Sequence, residues 1–390
     1  MRRHAPLLAL ILLAVFEAAA VWFIMPLPGS QRVRSVEIAY ALHQARWPVR
    51  LLCVALVIWG LPRLRASSRA QRLVTAGVAL VTGAITYAAN FVLPADVLFR
   101  QPDHIEMVAP AEAGVESDRL VVGLVLDGDA RAYPLQFIGY HHFVTDTVAG
   151  RAVLVTYCTV CRTGRVFDPS LDGTIERWRL VGMDQFNAML EDRSTGSWWR
   201  QANGEALVGP RRGTVLAELP SAQMTLRQWV ALHPDTRVMR GDPRFTREYD
   251  ADYAYERGTS RSRLTGTDPR SWQPKSWVVG VRLGGAARAY DWNALLRSGT
   301  INDTLAGRPI VLVVATDSAS FVAFARPDAA TAFARDADSI RTGTTAYALD
   351  GSGPAGLLTP ITASQEFWHS WQTFNPGTSR FPGSEPQRTP

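Results

Sequence analysis

The chain contains, at residues 151–164, the stretch Arg151-Ala-Val-Leu-Val-Thr-Tyr-Cys158-Thr-Val-Cys161-Arg-Thr-Gly164. Its apolar and β-branched residues, Val153 to Tyr157, predict a buried strand, and Gly164 with its polar neighbours predicts the turn that follows. Both cysteines are therefore expected at a strand end. Just upstream, Tyr140-His141-His142 adds two imidazoles to the two thiols.

Composition bounds the class of protein. The 390-residue chain is 47% hydrophobic and 19% charged, which is too apolar for disorder and allows a large core. Its net charge of +6 comes from arginines scattered among acidic residues or placed beside apolar segments. We therefore expect basic residues that flank a membrane, and no nucleic-acid partner. Of the three cysteines, Cys53 lies in an apolar segment, which leaves Cys158 and Cys161 as a pair.

Apolar segments in residues 1–95 predict an α-helical anchor in the lipid bilayer. Residues 7–25 and 73–93 are long enough to cross it, whereas Leu51 to Leu61 is short for a span. Glu17 lies in the first segment, where a carboxylate costs roughly 2.5–3.5 kcal/mol, so it should be protonated, paired or outside the membrane. A signal peptide cleaved near Ala18 and Ala20 is an alternative for this segment.

Arginines set the expected orientation of the anchor. Arg63, Arg65, Arg69 and Arg72 lie between the second and third segments, so the positive-inside rule makes this loop cytoplasmic. Three spans then make the protein a multi-pass protein of the plasma membrane, with everything after residue 95 extracytoplasmic. Two spans would leave that part in the cytoplasm.

An internal repeat organises the rest of the chain. Val121-Val-Gly-Leu-Val-Leu-Asp-Gly-Asp-Ala-Arg-Ala-Tyr133 reappears as Val278-Val-Gly-Val-Arg-Leu-Gly-Gly-Ala-Ala-Arg-Ala-Tyr290, and further matches follow at the same offset. We expect an α+β, mainly β, soluble domain built from two related halves, over residues 100–270 and 271–380, and a disordered tail over 381–390. Residues 182–210 have no counterpart in the second half, and Trp198-Trp199 in them is expected to wall a cleft.

The repeat separates architecture from chemistry. Asp146, Arg151, Arg131 and Tyr133 recur in both halves, which favours a structural role. By contrast, Ala315 and Ser318 stand opposite Cys158 and Cys161, and Ser298 and Gly299 stand opposite His141 and His142. The sulfur and imidazole groups therefore belong to the first half alone.

Three chemistries fit two cysteines separated by two residues. The pair could cycle between dithiol and disulfide, with Cys158 attacking, Cys161 resolving and His141 lowering the thiolate pKa. It could instead bind Cu(I) or Zn, with His141 or His142 completing the ligand set. Finally, it could be an inert disulfide, or two buried free thiols, in a binding or assembly module that contacts another protein of the cell envelope. An enzyme with this site would be a thiol–disulfide oxidoreductase or a metal-dependent enzyme.

Several stretches together resemble the bacterial family called domain of unknown function 3179, whose members share a Tyr-Cys-x-x-Cys segment. They are His141-His-Phe-Val-Thr-Asp146-Thr147, Val155-Thr-Tyr157-Cys158-Thr-Val-Cys161, Asp192-Arg-Ser-Thr195-Gly-Ser-Trp198, Gly204-Glu-Ala-Leu-Val-Gly209 and residues 229–236. The chain departs from the family pattern at three places. The family usually has Pro-Leu in place of Thr159-Val160 and Gly in place of Arg162, and an acidic residue is common in place of His142. The resemblance runs from about residue 100 to 380 and implies a shared fold but no activity.

Overall fold

A computed structural model describes residues 4–384. The chain divides into two compact units. The helical unit comprises the residues up to Arg100 together with Glu176–Arg200 and Glu205–Val215, and the β-rich unit comprises Gln101–Ile175, Gln201–Gly204 and the chain from Leu216 onward. Of the tail for which we expect disorder, Pro382–Ser384 forms a 3-10 turn, and residues 385–390 lie outside the described part.

Three long helices dominate the helical unit. The helices are α1 (Ala5–Ile24), α2 (Val36–Arg65), α3 (Arg69–Tyr87), which continues as a π-helical turn over Ala88–Val92, and the short α4 (Ala95–Leu98). The first three are long and apolar enough to cross a membrane. The expectation of a short second segment at Leu51 to Leu61 is wrong, because α2 begins at Val36 and is 30 residues long.

Glu17 is paired, which is one of the three states expected for it. Only 2% of the residue is exposed, and Arg50 holds its carboxylate through two bonds of 2.7 and 3.0 Å. The side-chain amide of Asn90 donates a further bond of 3.0 Å to the same carboxylate and accepts one of 2.7 Å from Arg50. The acid and the base thus neutralise each other between helices, which makes both tolerable in an apolar segment.

Short strands make up most of the chain between residues 106 and 240, with two short helices. They are β1 (Glu106–Val108), β2 (Leu120–Leu126), β3 (Asp129–Pro134), α5 (Leu135–His141), β4 (Phe143–Val148), β5 (Arg151–Cys158), β6 (Thr163–Phe167), β7 (Ser170–Leu171), β8 (Thr174–Ile175), β9 (Trp178–Asp184), β10 (Asn187–Asp192), β11 (Trp198–Arg200), β12 (Ala206–Val208), β13 (Glu218–Leu219), β14 (Ala222–Thr225), α6 (Leu226–Leu232) and β15 (Arg237–Arg240).

The remaining strands and helices follow residue 276. They are β16 (Trp277–Leu283), β17 (Ala286–Asp291), α7 (Trp292–Ser298), β18 (Thr300–Leu305), β19 (Arg308–Val314), β20 (Phe321–Ala325), β21 (Ala334–Asp336), β22 (Ser339–Thr342), β23 (Thr345–Ala348), β24 (Ser352–Gly353), β25 (Gly356–Leu357), β26 (Ala363–Phe367), α8 (Trp368–Phe374) and β27 (Ser379–Arg380). The chain after residue 100 is thus mostly β, as the sequence predicts.

One sheet order occurs twice in the β-rich unit, in a first segment up to residue 270 and in a second segment from residue 271 onward. The first segment has a sheet β14-β2-β3-β15-β1, and the second segment has the equivalent sheet β26-β16-β17-β27. The first segment also has a sheet β4-β5-β6-β13, and the second has the equivalent sheet β18-β19-β20. In each segment a glycine of the central hairpin lies under a tryptophan, Gly123 under Trp229 and Gly280 under Trp371. Each of these tryptophans donates a 2.8 Å bond from its indole nitrogen to a threonine hydroxyl. Backbone packing and side-chain pairing therefore follow one pattern in both segments.

Most of the segment without a counterpart, residues 182–200 and 205–210, belongs to the helical unit, whereas residues 201–204 belong to the β-rich unit. Its strands form a sheet β12-β11-β10-β9 that belongs to the helical unit. Within that unit, Trp198 packs edge-on against Tyr40 of α2, with ring centres 5.1 Å apart. Trp198 also lines a cavity of about 520 Å³, as do Glu17 and Arg50, whereas Trp199 packs edge-on against Trp178.

Candidate thiol site

The two cysteines lie in one hairpin turn between β5 and β6. Cys158 ends β5 and pairs with Thr163, the first residue of β6, so Cys161 lies in the four-residue loop 159–162. This confirms the predicted strand, but the turn comes earlier than expected, because Gly164 is already inside β6. The loop closes through Arg162, whose φ of 56° is left-handed. A positive φ is uncommon for a residue other than glycine and is typical of a turn.

The cysteines of the turn are reduced and buried. All three cysteines of the chain, which lie within the described residues, are thiols, and no disulfide joins them in this structure. Neither Cys158 nor Cys161 exposes any surface. A thiol so placed is shielded from bulk reagents, and its chemistry depends on the groups packed around it.

Three consecutive carbonyl groups of the turn accept hydrogen bonds from residues far along the chain. The hydroxyl of Tyr255 donates to the carbonyl oxygen of Thr159 at 3.0 Å, and Nζ of Lys275 donates to that of Val160 at 2.6 Å. The backbone N–H of Phe367 donates to that of Cys161 at 2.9 Å. These bonds fix the backbone that carries both sulfur atoms.

Arg162 ties the same turn to its surroundings. Its guanidinium donates to the side chain of Gln365 at 2.9 Å and to the carbonyl oxygens of Tyr255 and Glu256 at 3.0 Å each. It also lies 3.7 Å from the centre of the Trp277 ring. Arginine is well suited to such a position, because it satisfies several acceptors and stacks on an aromatic face at once.

His141 ends α5 and is fully buried. Its Nε2 lies 3.0 Å from the hydroxyl of Tyr249, and its carbonyl oxygen accepts a 2.6 Å bond from the side chain of Gln101. The rings of Tyr140, Phe245 and Tyr249 contact it edge-on. The predicted influence of His141 on the thiolate pKa stays a prediction.

His142 caps the end of α5 in a left-handed conformation, with φ of 64°. Its Nδ1 lies 3.1 Å from the carbonyl oxygen of Tyr157, the residue before Cys158. Burial lowers the pKa of His142 to about 4, although the bond to Tyr157 acts in the opposite direction. The imidazole is therefore uncharged at neutral pH. Gly299, which the sequence places opposite His142, caps α7 with φ of 69°.

The metal alternative needs at least three ligands that converge. Among the described residues, no group of three or more histidine, cysteine, aspartate or glutamate side chains could hold a metal ion. Binding of copper or zinc by Cys158, Cys161, His141 and His142 therefore stays a prediction.

Two titratable residues near this turn, Lys275 and His369, are not among the site residues expected from the sequence. Burial lowers the pKa of Lys275 to about 8, and the nearby thiols of Cys161 and Cys158 act in the opposite direction. Burial, together with the charge of Lys275, lowers the pKa of His369 to about 4. A signal for the lysine was available, because Lys275 is the only lysine among the 41 basic residues, arginines and lysines together, of the chain.

The fold and the site define a class of protein that is mostly β, with apolar N-terminal helices and a buried pair of cysteines at a hairpin turn. The chain belongs to the family described as protein of unknown function (DUF3179), whose family model matches residues 100–378. The match confirms the resemblance seen in the sequence. No curated protein and no solved structure matches the chain.

Proposed function

We propose that the protein is a membrane-anchored thiol–disulfide exchange protein whose redox couple is Cys158 and Cys161. The observation that supports this most directly is the placement of both residues, as thiols, at one hairpin turn, with Cys158 at the end of β5 and Cys161 in the four-residue loop that follows. Cysteines separated by two residues form a small ring on oxidation, so the couple can open and close without large changes elsewhere. The substrate class is a disulfide of another protein of the cell envelope.

The exchange has two steps. The thiolate of Cys158 attacks one sulfur of the substrate disulfide, the substrate S–S bond breaks, and one substrate sulfur leaves as a thiolate. The thiolate of Cys161 then attacks Sγ of Cys158, forms the Cys158–Cys161 bond and releases the second substrate sulfur. The substrate disulfide is thereby reduced to two thiols, and the protein's dithiol is oxidised.

Burial of the thiols requires one movement. The segment 249–276 contacts the turn through Tyr255 and Lys275, and it contains no regular helix or strand. Arg162 also donates to carbonyl oxygens of this segment, and Glu256 in it forms a buried ion pair with Arg119 at 3.1 Å, so the movement breaks these bonds as well. Exchange with a protein substrate proceeds when this segment moves away from the turn, and small reagents react faster than large ones.

The anchor and the repeat complete the proposal. Helices α1, α2 and α3 cross the plasma membrane, and the arginines around residues 63–72 keep their loop in the cytoplasm, so the β-rich unit lies outside. The two segments of that unit derive from duplication of one ancestral segment, and the first segment carries the redox couple. A reporter fused after residue 384 tests the orientation: activity on the cytoplasmic side would contradict it.

Thiol labelling of the full-length protein in lipid nanodiscs tests the movement that the proposed exchange requires. Cys53→Ser removes the remaining cysteine, and alkylation by N-ethylmaleimide is followed by mass spectrometry. We expect slow labelling of the native protein and labelling several times faster in Tyr255→Phe, which loses the bond to Thr159. Tyr253→Phe, two residues away, is the matched control and should label like the parent. Equal labelling of all three proteins would contradict the proposed movement.

The same preparation distinguishes the other two chemistries. Stoichiometric copper or zinc that disappears in Cys158→Ser would replace exchange with metal binding. A disulfide that physiological thiols do not reduce, without metal, would make the cysteines structural and the protein a binding or assembly module.

A further inference from the structure

Lys275 stands out by composition. In a chain whose other basic residues are arginines, one lysine remains, and it lies at the cysteine turn. Arginine and lysine differ in one chemical property above all: a guanidinium does not release its proton in proteins, whereas a buried ammonium does. The position therefore has a side chain that can exchange a proton, which no arginine could replace.

The structure holds this amine against the turn. Nζ donates to the carbonyl oxygen of Val160, between the two cysteines, at 2.6 Å, and to that of Leu264 at 2.5 Å. It lies 4.4 Å from the centre of the Phe367 ring, and the backbone N–H of that phenylalanine bonds to the carbonyl oxygen of Cys161. The amine is thus fixed next to Cys161 by two carbonyl groups and one aromatic face.

The charges around the amine favour proton exchange with a thiol. Burial lowers the pKa of Lys275 to about 8, with Cys161 and then Cys158 opposing that shift. The third titratable neighbour is His369, whose Nδ1 lies 2.9 Å from the carbonyl oxygen of Pro274 and whose pKa is about 4. His369 is therefore uncharged near neutrality, and the thiols of Cys161 and Cys158 are the other titratable groups near Lys275.

We propose that Lys275 is the proton acceptor for Cys161 when this residue resolves the mixed disulfide on Cys158. The inference rests on the exchange function proposed above. The S–H bond of Cys161 breaks, its proton moves to the neutral Nζ of Lys275, and the resulting thiolate attacks Sγ of Cys158. The Cys158–Cys161 bond forms, and the substrate sulfur leaves with the electron pair. In the reverse direction, the ammonium of Lys275 returns the proton to Cys161.

The test is a single turnover in the full-length protein. The Cys53→Ser protein is loaded at Cys158 with the 5-thio-2-nitrobenzoate reagent, and release of the coloured thiolate reports resolution by Cys161. We expect Lys275→Met and Lys275→Arg to slow release at neutral pH by about a hundredfold, the lower part of the range for a positioned proton acceptor. Arg263→Met, an exposed change in the same segment, is the control and should leave the rate unchanged. Rates in Lys275→Arg equal to those of the parent would overturn the proposal.

A second readout separates proton transfer from a structural role. Because the chain has one lysine, carbon-13 at lysine Cε gives one side-chain signal whose shift follows the protonation of Lys275. We expect its pKa to change in Cys161→Ser and between the dithiol and disulfide forms, since coupled groups titrate together. A pKa that is identical in all of these states would overturn the proposal. Absence of coloured-thiolate release from the parent itself would instead refute the exchange function.

Discussion

His142 and Tyr157 are joined by two contacts, one between their backbones and one between the ring of His142 and the backbone of Tyr157. The N–H of Tyr157 donates to the carbonyl oxygen of His142 at 2.8 Å, and Nδ1 of His142 lies 3.1 Å from the carbonyl oxygen of Tyr157. This double contact joins the end of α5 to the strand that carries Cys158. It also explains why a histidine occupies a left-handed position that glycine occupies in the second segment.

Replacement of His142 separates conformation from contact. His142→Ala keeps a side chain at positive φ and loses the ring contact, whereas His142→Gly relieves the backbone cost of roughly 1–2 kcal/mol. We expect the alanine variant to have a free energy of unfolding about 1 kcal/mol lower than the glycine variant, measured by denaturant titration. Gly299→Ala, at φ of 69°, is the matched change in the second segment and should also destabilise. Equal stability of the alanine and glycine variants would contradict this account.

Stability should fall on acidification because of the same histidine. The pKa of His142 is about 4 in the folded protein and near its ordinary value of 6.5 in the unfolded chain. Between these values the unfolded chain binds a proton that the folded protein does not, so the free energy of unfolding decreases as the pH falls from 6.5 towards 4. His369 contributes in the same window. We expect His142→Gln to reduce the slope of the unfolding midpoint against pH, and an unchanged slope would refute the assignment to His142.

Gly123 and Gly280 leave no room for a side chain. A Cβ added to Gly123 would lie 2.3 Å from the ring of Trp229, and one added to Gly280 would lie 2.1 Å from Trp371. Each glycine-to-alanine change should lower the free energy of unfolding by about 1–3 kcal/mol, the usual cost of overpacking. Gly77→Ala, where nothing lies within 4 Å of the added atom, is the control. Thermal unfolding that is the same in Gly123→Ala as in Gly77→Ala would show that the tryptophan moves freely.

Glu17 and Arg50 should stabilise the helical unit only when both are present. Arg50→Leu leaves a buried carboxylate without its cation and should destabilise the helical unit by about 3–5 kcal/mol. The double variant Glu17→Leu/Arg50→Leu should regain most of that loss, because two apolar side chains need no compensation. Unfolding in nanodiscs measures both, with the exposed Arg63→Leu as control. A double variant that is no more stable than the single one would contradict the pairing.

Local patterns predicted what depends on neighbouring residues. The β-branched run ending at Tyr157 identified β5, and the repeated stretches Val121 to Tyr133 and Val278 to Tyr290 identified equivalent hairpins in both segments. Long-range pairs escaped prediction. The charge of Arg50 made the apolar part of α2 seem to begin at Leu51, because the partner that neutralises this charge, Glu17, lies 33 residues earlier. Lys275 escaped for the same reason, since it lies 115 residues after Val160 and no spacing rule connects them. Its rarity in the chain was the one local clue.

The redox equilibrium of Cys158 and Cys161 tests the central claim most directly. The Cys53→Ser protein in nanodiscs is equilibrated with glutathione buffers, and the dithiol and disulfide forms are separated by mass. We predict a reversible two-electron couple with a potential above about −250 mV, within the range of exchange proteins. A potential below about −300 mV would mark a static disulfide, and thiols that stay reduced in every buffer would mark inert core residues; either result would contradict the account.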